Sequence, residues 1–301
     1  MMLVAVCSLK GSPGVTTFCV ALAAHWPAQA RCLLLECDPS GGDIATRFSL
    51  ASSPGLVSLA AAARRGSEPD LLWQHTQQLP GGLPVVLAPP GADHALAALV
   101  ALAPESSARA SVLRMAAGAT DMTVIADCGR ADPPSAVLPL VRSADIMLLL
   151  SRAHADDLAH LASRVAAVGR WSPRPALLLV GGGYSTAEIS RELDVPIFGR
   201  IPEDGPGAAA LRGHRRSQGR PLCSALGRVA GSVARALLAN LATLPGAQHG
   251  SASPNDPASV PRSDSAGGHA APTNRVQAVG LMPRLLNATT PEAACRNGRV
   301  S

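Results

Sequence analysis

The chain has 301 residues, of which 47% are hydrophobic, 16% charged and 2% aromatic, with a formal net charge of +5. That apolar fraction over that length is enough for a buried core and excludes a wholly disordered chain. The aromatics (Phe18, Trp26, Phe48, Trp73, Trp171, Tyr184 and Phe198) are too few and too scattered to form the stacking platforms that hold single-stranded nucleic acid. The basic residues are 25 arginines and a single lysine, Lys10. A lysine kept where arginine has been used everywhere else marks a position that arginine cannot fill.

Short apolar runs alternate with helical patterns along the chain, which predicts an α/β fold: a mostly parallel sheet with helices on both faces. The predicted strands are residues 3–8, 32–36, 84–88, 122–127, 146–151, 176–180 and 196–201. They are continuous Val/Leu/Ile runs, as expected of strands covered on both sides. Val15, Phe18, Cys19, Leu22 and Trp26 fall on one helical face after the first strand. Leu158, Leu161, Val165 and Val168 do the same after the fifth, and Leu222, Leu226, Val229, Val233 and Leu237 on a closing helix. Ser185 and Thr186 are placed to start a helix that ends near Leu193.

Residues 1–7 are apolar with no basic stretch before them, and the uncharged window 11–30 is interrupted by Pro13, Thr16, Thr17, His25 and Pro27. Neither a secretory signal nor a membrane span is expected there. The seven cysteines show no C-x-x-C spacing and mostly lie in apolar runs, which predicts reduced thiols in a cytoplasmic core. After Pro245 apolar periodicity stops. Residues 1–245 are thus expected to form the domain and 246–301 a disordered tail rich in Pro, Ser, Gly and Ala.

The first strand runs into Lys10, Gly11, Ser12, Pro13, Gly14, Val15, Thr16 and Thr17, and then into an amphipathic helix. A strand, a glycine-bearing turn and a helix start make an anion site, because unpaired N–H groups and the helix dipole point at the turn. The segment fits G-x-x-x-x-G-K-[ST] only in part. It more closely resembles K-G-G-x-G-K-[ST]-[ST], the deviant Walker motif of the ParA/MinD family of P-loop ATPases, which position chromosomes, plasmids, division sites and pili. Further segments look similar in the same order. Glu36, Cys37, Asp38, Pro39, Ser40 and Gly41 resemble the family's D-x-D-P-Q-G switch, and residues 123–127 its Walker B strand. Ala144-Asp145 resembles the A-D segment that follows, and residues 195–204 the late V-P-x-x-G-x-I-P-x-D run, which includes Pro202 and Glu203. The likeness covers roughly residues 1–244.

The resemblance implies ATP and Mg2+ as cofactors. Lys10 would be the signature lysine that reaches the partner's phosphates in an ATP-dependent homodimer. Gly11, Ser12, Gly14, Val15, Thr16 and Thr17 would wrap the phosphates, and Pro202 and Glu203 would also contact the nucleotide. Thr16, Asp38 and Asp127 would serve the metal, with Asp38 also orienting water. Glu36 stands at the first switch aspartate and, one methylene longer, is expected to serve in its place. Read as residues alone, Lys10 is an exposed turn lysine, Thr16 a helix cap, and Asp38 and Asp127 turn residues at strand ends.

Val15 departs from the pattern, because it replaces the lysine that cradles the β- and γ-phosphates. Losing one such preorganised group costs about two to three orders of magnitude in rate. Only an arginine, or the partner subunit's Lys10, could replace that charge. Gly181, Gly182 and Gly183 stand where the family has an asparagine that reads the base. The expectation is a cytoplasmic nucleotide switch with weak or absent hydrolysis, at the membrane's inner face or the nucleoid, that positions a chromosome, division site or pilus/secretion apparatus. Its partners would be a pilus/secretion ATPase or a partition protein. Rival readings are an active partitioning ATPase and a nucleotide-free scaffold. Arg212, His214, Arg215, Arg216 and Arg220 form a basic cluster that would contact DNA phosphate, anionic lipid or an acidic partner, or would simply be solvated.

Overall fold

A computed structural model describes residues 2–10, 13–28, 31–65, 70–103, 122–132, 134–172, 174–213 and 224–242. Eight strands form one sheet: β1 (Met2–Ser8), β2 (Arg31–Glu36), β3 (Gln77–Gln78), β4 (Pro84–Val86), β5 (Met122–Arg130), β6 (Ile146–Ala153), β7 (Pro175–Gly183) and β8 (Ile197–Ile201). Their order is β3-β4-β2-β5-β1-β6-β7-β8, and every neighbouring pair is parallel except β3 with β4. All seven predicted strands are present. The eighth, β3, is two glutamines on an edge and carries no apolar signal.

The helices are α1 (Val15–Ala24), α2 (Ile44–Phe48), α3 (Leu56–Ala63), α4 (Leu71–Gln74), α5 (Ala92–Leu102) and α6 (Leu138–Ser143), followed by α7 (Ala155–Ala162), α8 (Val165–Val168), α9 (Thr186–Leu193), α10 (Gly205–Leu211) and α11 (Ala225–Ala242). Strand alternation divides the core in two. Leu3, Ala5 and Cys7 face one apolar cluster with α3, α4, α5 and α6, while Met2, Val4 and Val6 face the other with α1, α10 and α11. The predicted face of α1 is buried as expected, each large side chain contributing about 1.5–3 kcal/mol. The helical face spanning Leu158 to Val168 is split between α7 and α8, with Arg164 at the start of the second. Apolar spacing is blind to that break. Ser185 caps α9 and exchanges hydrogen bonds with Glu188, as its sequence predicts.

Asp145, in the A-D segment, has a structural task. Its carboxylate accepts from Leu3 N–H at 2.8 Å and its own N–H donates to the Leu3 carbonyl at 2.9 Å, pinning the start of β1. The neighbouring strands β2, β5 and β1 pair in parallel register, and their carboxyl ends form the kind of crevice where α/β sheets bind ligands. No described helix is long and apolar enough to cross a membrane. Gly11, Ser12, residues 214–223 and the tail 246–301 lie outside the described residues, and with them part of the basic cluster.

Candidate functional site

The turn between β1 and α1 opens on Gly14, whose φ of 91° is a left-handed conformation that favours glycine. Gly14 is the N-cap of α1, with no side-chain cap, and its carbonyl accepts from Phe18 N–H. The first-turn N–H groups are therefore available to an anion. Thr16 is no cap: α1 has no side-chain cap bond, and the Thr16 side chain favours the ionised form of Asp127. Thr17 is buried, with its hydroxyl accepting from Arg212 Nε at 3.4 Å. Val15 is 6% exposed and its side chain joins the apolar cluster under the loop, so only its backbone faces a ligand.

Around this turn lies a cleft of about 330 Å3, lined on one side by Gly14, Val15, Thr16 and Thr17 and on the other by Asp38, Asp43, Arg47 and Gly129. A second cleft of about 210 Å3 shares Gly14, Thr17 and Arg212 with the first and continues to Pro202, Glu203 and Asp204. The structure therefore brings together the described members of the predicted set, with Asp127 behind Thr16, except Lys10. Its ammonium pairs with Asp156 at 2.6 Å and approaches Asp157 at 3.9 Å, at the start of α7, and it lines neither cleft.

Three carboxylates differ sharply in surroundings. Asp38 accepts from Ser40 N–H at 2.8 Å and lines the open cleft. Gly129, with φ 54°, lies so close that any Cβ there would collide with the Asp38 carboxylate. Asp127 is fully buried; one oxygen accepts from Gly129 N–H at 3.2 Å, while Oδ2 has no hydrogen-bond partner. Burial pushes its pKa up to about 6, while Thr16 and the Gly129 N–H pull it down. Glu36 is also buried, but both its oxygens are engaged. Oε1 accepts from Asp43 and Ile44 N–H at 2.8 and 3.0 Å, and Oε2 from Ala88 N–H at 3.0 Å. Burial raises its pKa to about 7. In this structure Glu36 is held as part of the frame by backbone donors on both oxygens. Its extra methylene lets it staple the start of α2 to the end of the β4 region.

Sequence reasoning missed two further residues. Arg47, on the last turn of α2, lines the cleft with Nη2 on Asp43 Oδ2 at 2.7 Å. Asp204 caps α10 through Gly207 N–H at 2.9 Å and accepts from Leu226 N–H at 2.9 Å, which ties α10 to α11 and holds its carboxyl below the usual range. The available signal was the aspartate directly before a Gly-Pro helix start. At the end of β7, Arg200 donates to the carbonyls of Gly181 and Tyr184, so the triple glycine is fixed by backbone contacts.

No protein-family model matches the chain, and no curated protein sequence matches it significantly. The fold is that of the ParA/MinD P-loop ATPases. A ParA family ATPase from Chlorobium tepidum superposes with a TM-score of 0.62 at 15% identity, covering 78% of this chain and 98% of that one. The septum site-determining protein MinD of Pyrococcus horikoshii, complexed with Mg-ADP, gives 0.59 at 16%, covering 81% and 99%. The Cyanothece McdA(D38A)–ATP complex gives 0.55 at 16%, covering 78% and 96%.

Proposed function

We propose that the chain is a ParA/MinD-type nucleotide switch that binds ATP with Mg2+, dimerises around it and positions a cellular structure, with weak or absent hydrolysis. The observation that carries this is the unpartnered, fully buried Asp127 Oδ2 behind Thr16, beside a glycine turn whose helix start has no side-chain cap. A buried carboxylate oxygen left without a donor is costly unless a cation completes it. A hard divalent cation suits the oxygen set of Thr16, Asp38 and Asp127. The loop backbone at residues 14–17 would hold phosphate, and Pro202 and Glu203 would border the nucleoside. Bound, the metal would neutralise phosphate charge; Asp38 would orient water.

The neighbours support this reading: one MinD structure holds Mg-ADP, a McdA structure holds ATP, and another MinD is in complex with MinC. Lys10 would leave Asp156 to reach the partner's nucleotide. Val15 leaves its own subunit's loop uncharged, which is the reason for expecting slow turnover. The reading places the protein in the cytoplasm, at the membrane's inner face or the nucleoid, beside a pilus/secretion ATPase or a partition partner.

Calorimetry and sizing chromatography with and without Mg-ATP test it. Binding heat with a shift to dimer is expected, together with phosphate release no faster than that of Lys10→Ala. Absence of both heat and shift overturns the switch, and release well above the Lys10→Ala control makes the protein an active ATPase.

A further inference from the structure

Among the described residues, three arginines line the cleft at the glycine loop, and they are not equivalent. Arg130 is 57% exposed and already paired with Asp132. Arg212, exposed at the end of α10, donates to the Thr17 hydroxyl. Arg47 is 23% exposed and its Nη2 is fixed on Asp43 Oδ2, yet its Nη1 is buried with no hydrogen-bond partner. Glu36 clamps the N–H groups of Asp43 and Ile44, so the helix that carries Arg47 starts from a fixed point. The guanidinium thus pairs with the exposed Asp43 carboxylate, and the helix that carries it is fixed at its start by Glu36.

Arg47 lines the cleft and keeps one buried donor without a partner, an arrangement that an anion bound in the cleft would relieve. The planar fork of arginine, one arm anchored and one free, suits a phosphate oxygen. The loop itself carries no cation from Gly11 to Thr17, and Lys10 is turned to Asp156. Arg47 already acts on Asp127, where its charge favours the ionised carboxylate.

We propose that Arg47 is a phosphate-binding cation of this site, its guanidinium donating from α2 to a terminal phosphate of the bound nucleotide; it contributes to binding and leaves the turnover role of the lysine missing at Val15 unfilled. This rests on the nucleotide-site reading above. It extends that reading by naming a specificity residue, one that separates nucleoside tri- and diphosphates from the monophosphate.

The test uses methylanthraniloyl-labelled ATP, ADP and AMP with Mg2+ on the full chain, comparing wild type with Arg47→Gln, Arg47→Lys and, as a remote control, Arg191→Gln on the exposed face of α9. Arg47→Gln is expected to weaken ATP and ADP by about tenfold or more, equivalent to about 1.4 kcal/mol. AMP should stay within about twofold, Arg47→Lys should fall between, and the control should match wild type. If wild type binds and Arg47→Gln binds ATP as wild type does, this proposal alone fails. If wild type binds none of the three, the nucleotide-site reading fails first. Should Arg47→Gln lack a cooperative thermal transition, phenylglyoxal modification of wild-type Arg47 is followed by peptide mass. Mg-ATP is expected to slow it several-fold and adenosine not at all, and equal rates with both overturn the proposal.

Discussion

The carboxyl ends of β2 and β5 lie side by side, with Glu36 directly paired to Asp127 in the ladder. Both carboxylates are buried, and burial raises the pKa of both. Glu36 answers the loss of water with three backbone N–H bonds drawn from two separate segments. Asp127 leaves one oxygen with nothing. The difference separates a residue that builds the site from one held ready within it: a fully engaged carboxylate is part of the frame, and an orphaned one is capacity for a ligand.

The strongest way to break this contrast is Glu36→Ala. It strands three backbone donors, two of them buried, beside a cavity and releases the start of α2, so a loss of about 3 kcal/mol or more is expected. Urea unfolding with an unchanged m-value would measure it; a loss under about 1 kcal/mol would show that Glu36 is no staple. Asp127→Asn should behave in the opposite sense. The amide keeps an oxygen for Gly129 N–H and removes a buried charge, so the ligand-free protein should unfold at an equal or higher temperature. The stabilisation by saturating Mg-ATP, about 2.7 kcal/mol at a hundredfold excess over Kd, should disappear. Destabilisation of the ligand-free protein as large as that of Glu36→Ala would place both carboxylates in the frame.

The ends of these strands also show how far a sequence carries. The positions of the glycine turn, Asp38 and Asp127 at the strand ends are legible because each belongs to a local pattern: a strand of buried aliphatics followed by a glycine or an acid. The seven predicted strands are legible for the same reason, whereas the polar two-residue β3 is not. The role of Glu36 depends on Ala88, 52 residues away, which meets it only after β4 pairs with β2. Arg47 is one arginine among 25 until α2 folds over the cleft. Lys10 was distinguished by composition and by its motif, yet its resting partner lies 146 residues on, at the start of a different helix. Local chemistry can be read from neighbours along the chain; the partners that hold a side chain at rest are set by tertiary approach.

That last pair gives the smallest expected change in stability and sharpens the contrast at the third strand end, β1. Lys10 and Asp156 meet in solvent, the aspartate side chain 68% exposed, and the ion pair holds the lysine pKa up and the aspartate pKa down. Exposed pairs are screened, and holding two flexible side chains together offsets much of the attraction. Lys10→Ala and Asp156→Ala should therefore both melt with the wild type. Their functional consequences should diverge, because the proposed switch needs the lysine only after it has left the aspartate. Lys10→Ala should lose the Mg-ATP-dependent shift to dimer on a sizing column, whereas Asp156→Ala should keep it or show it at lower nucleotide concentration. If Asp156→Ala loses the shift as completely as Lys10→Ala does, the pair itself is part of the assembled state and the lysine is not released from it.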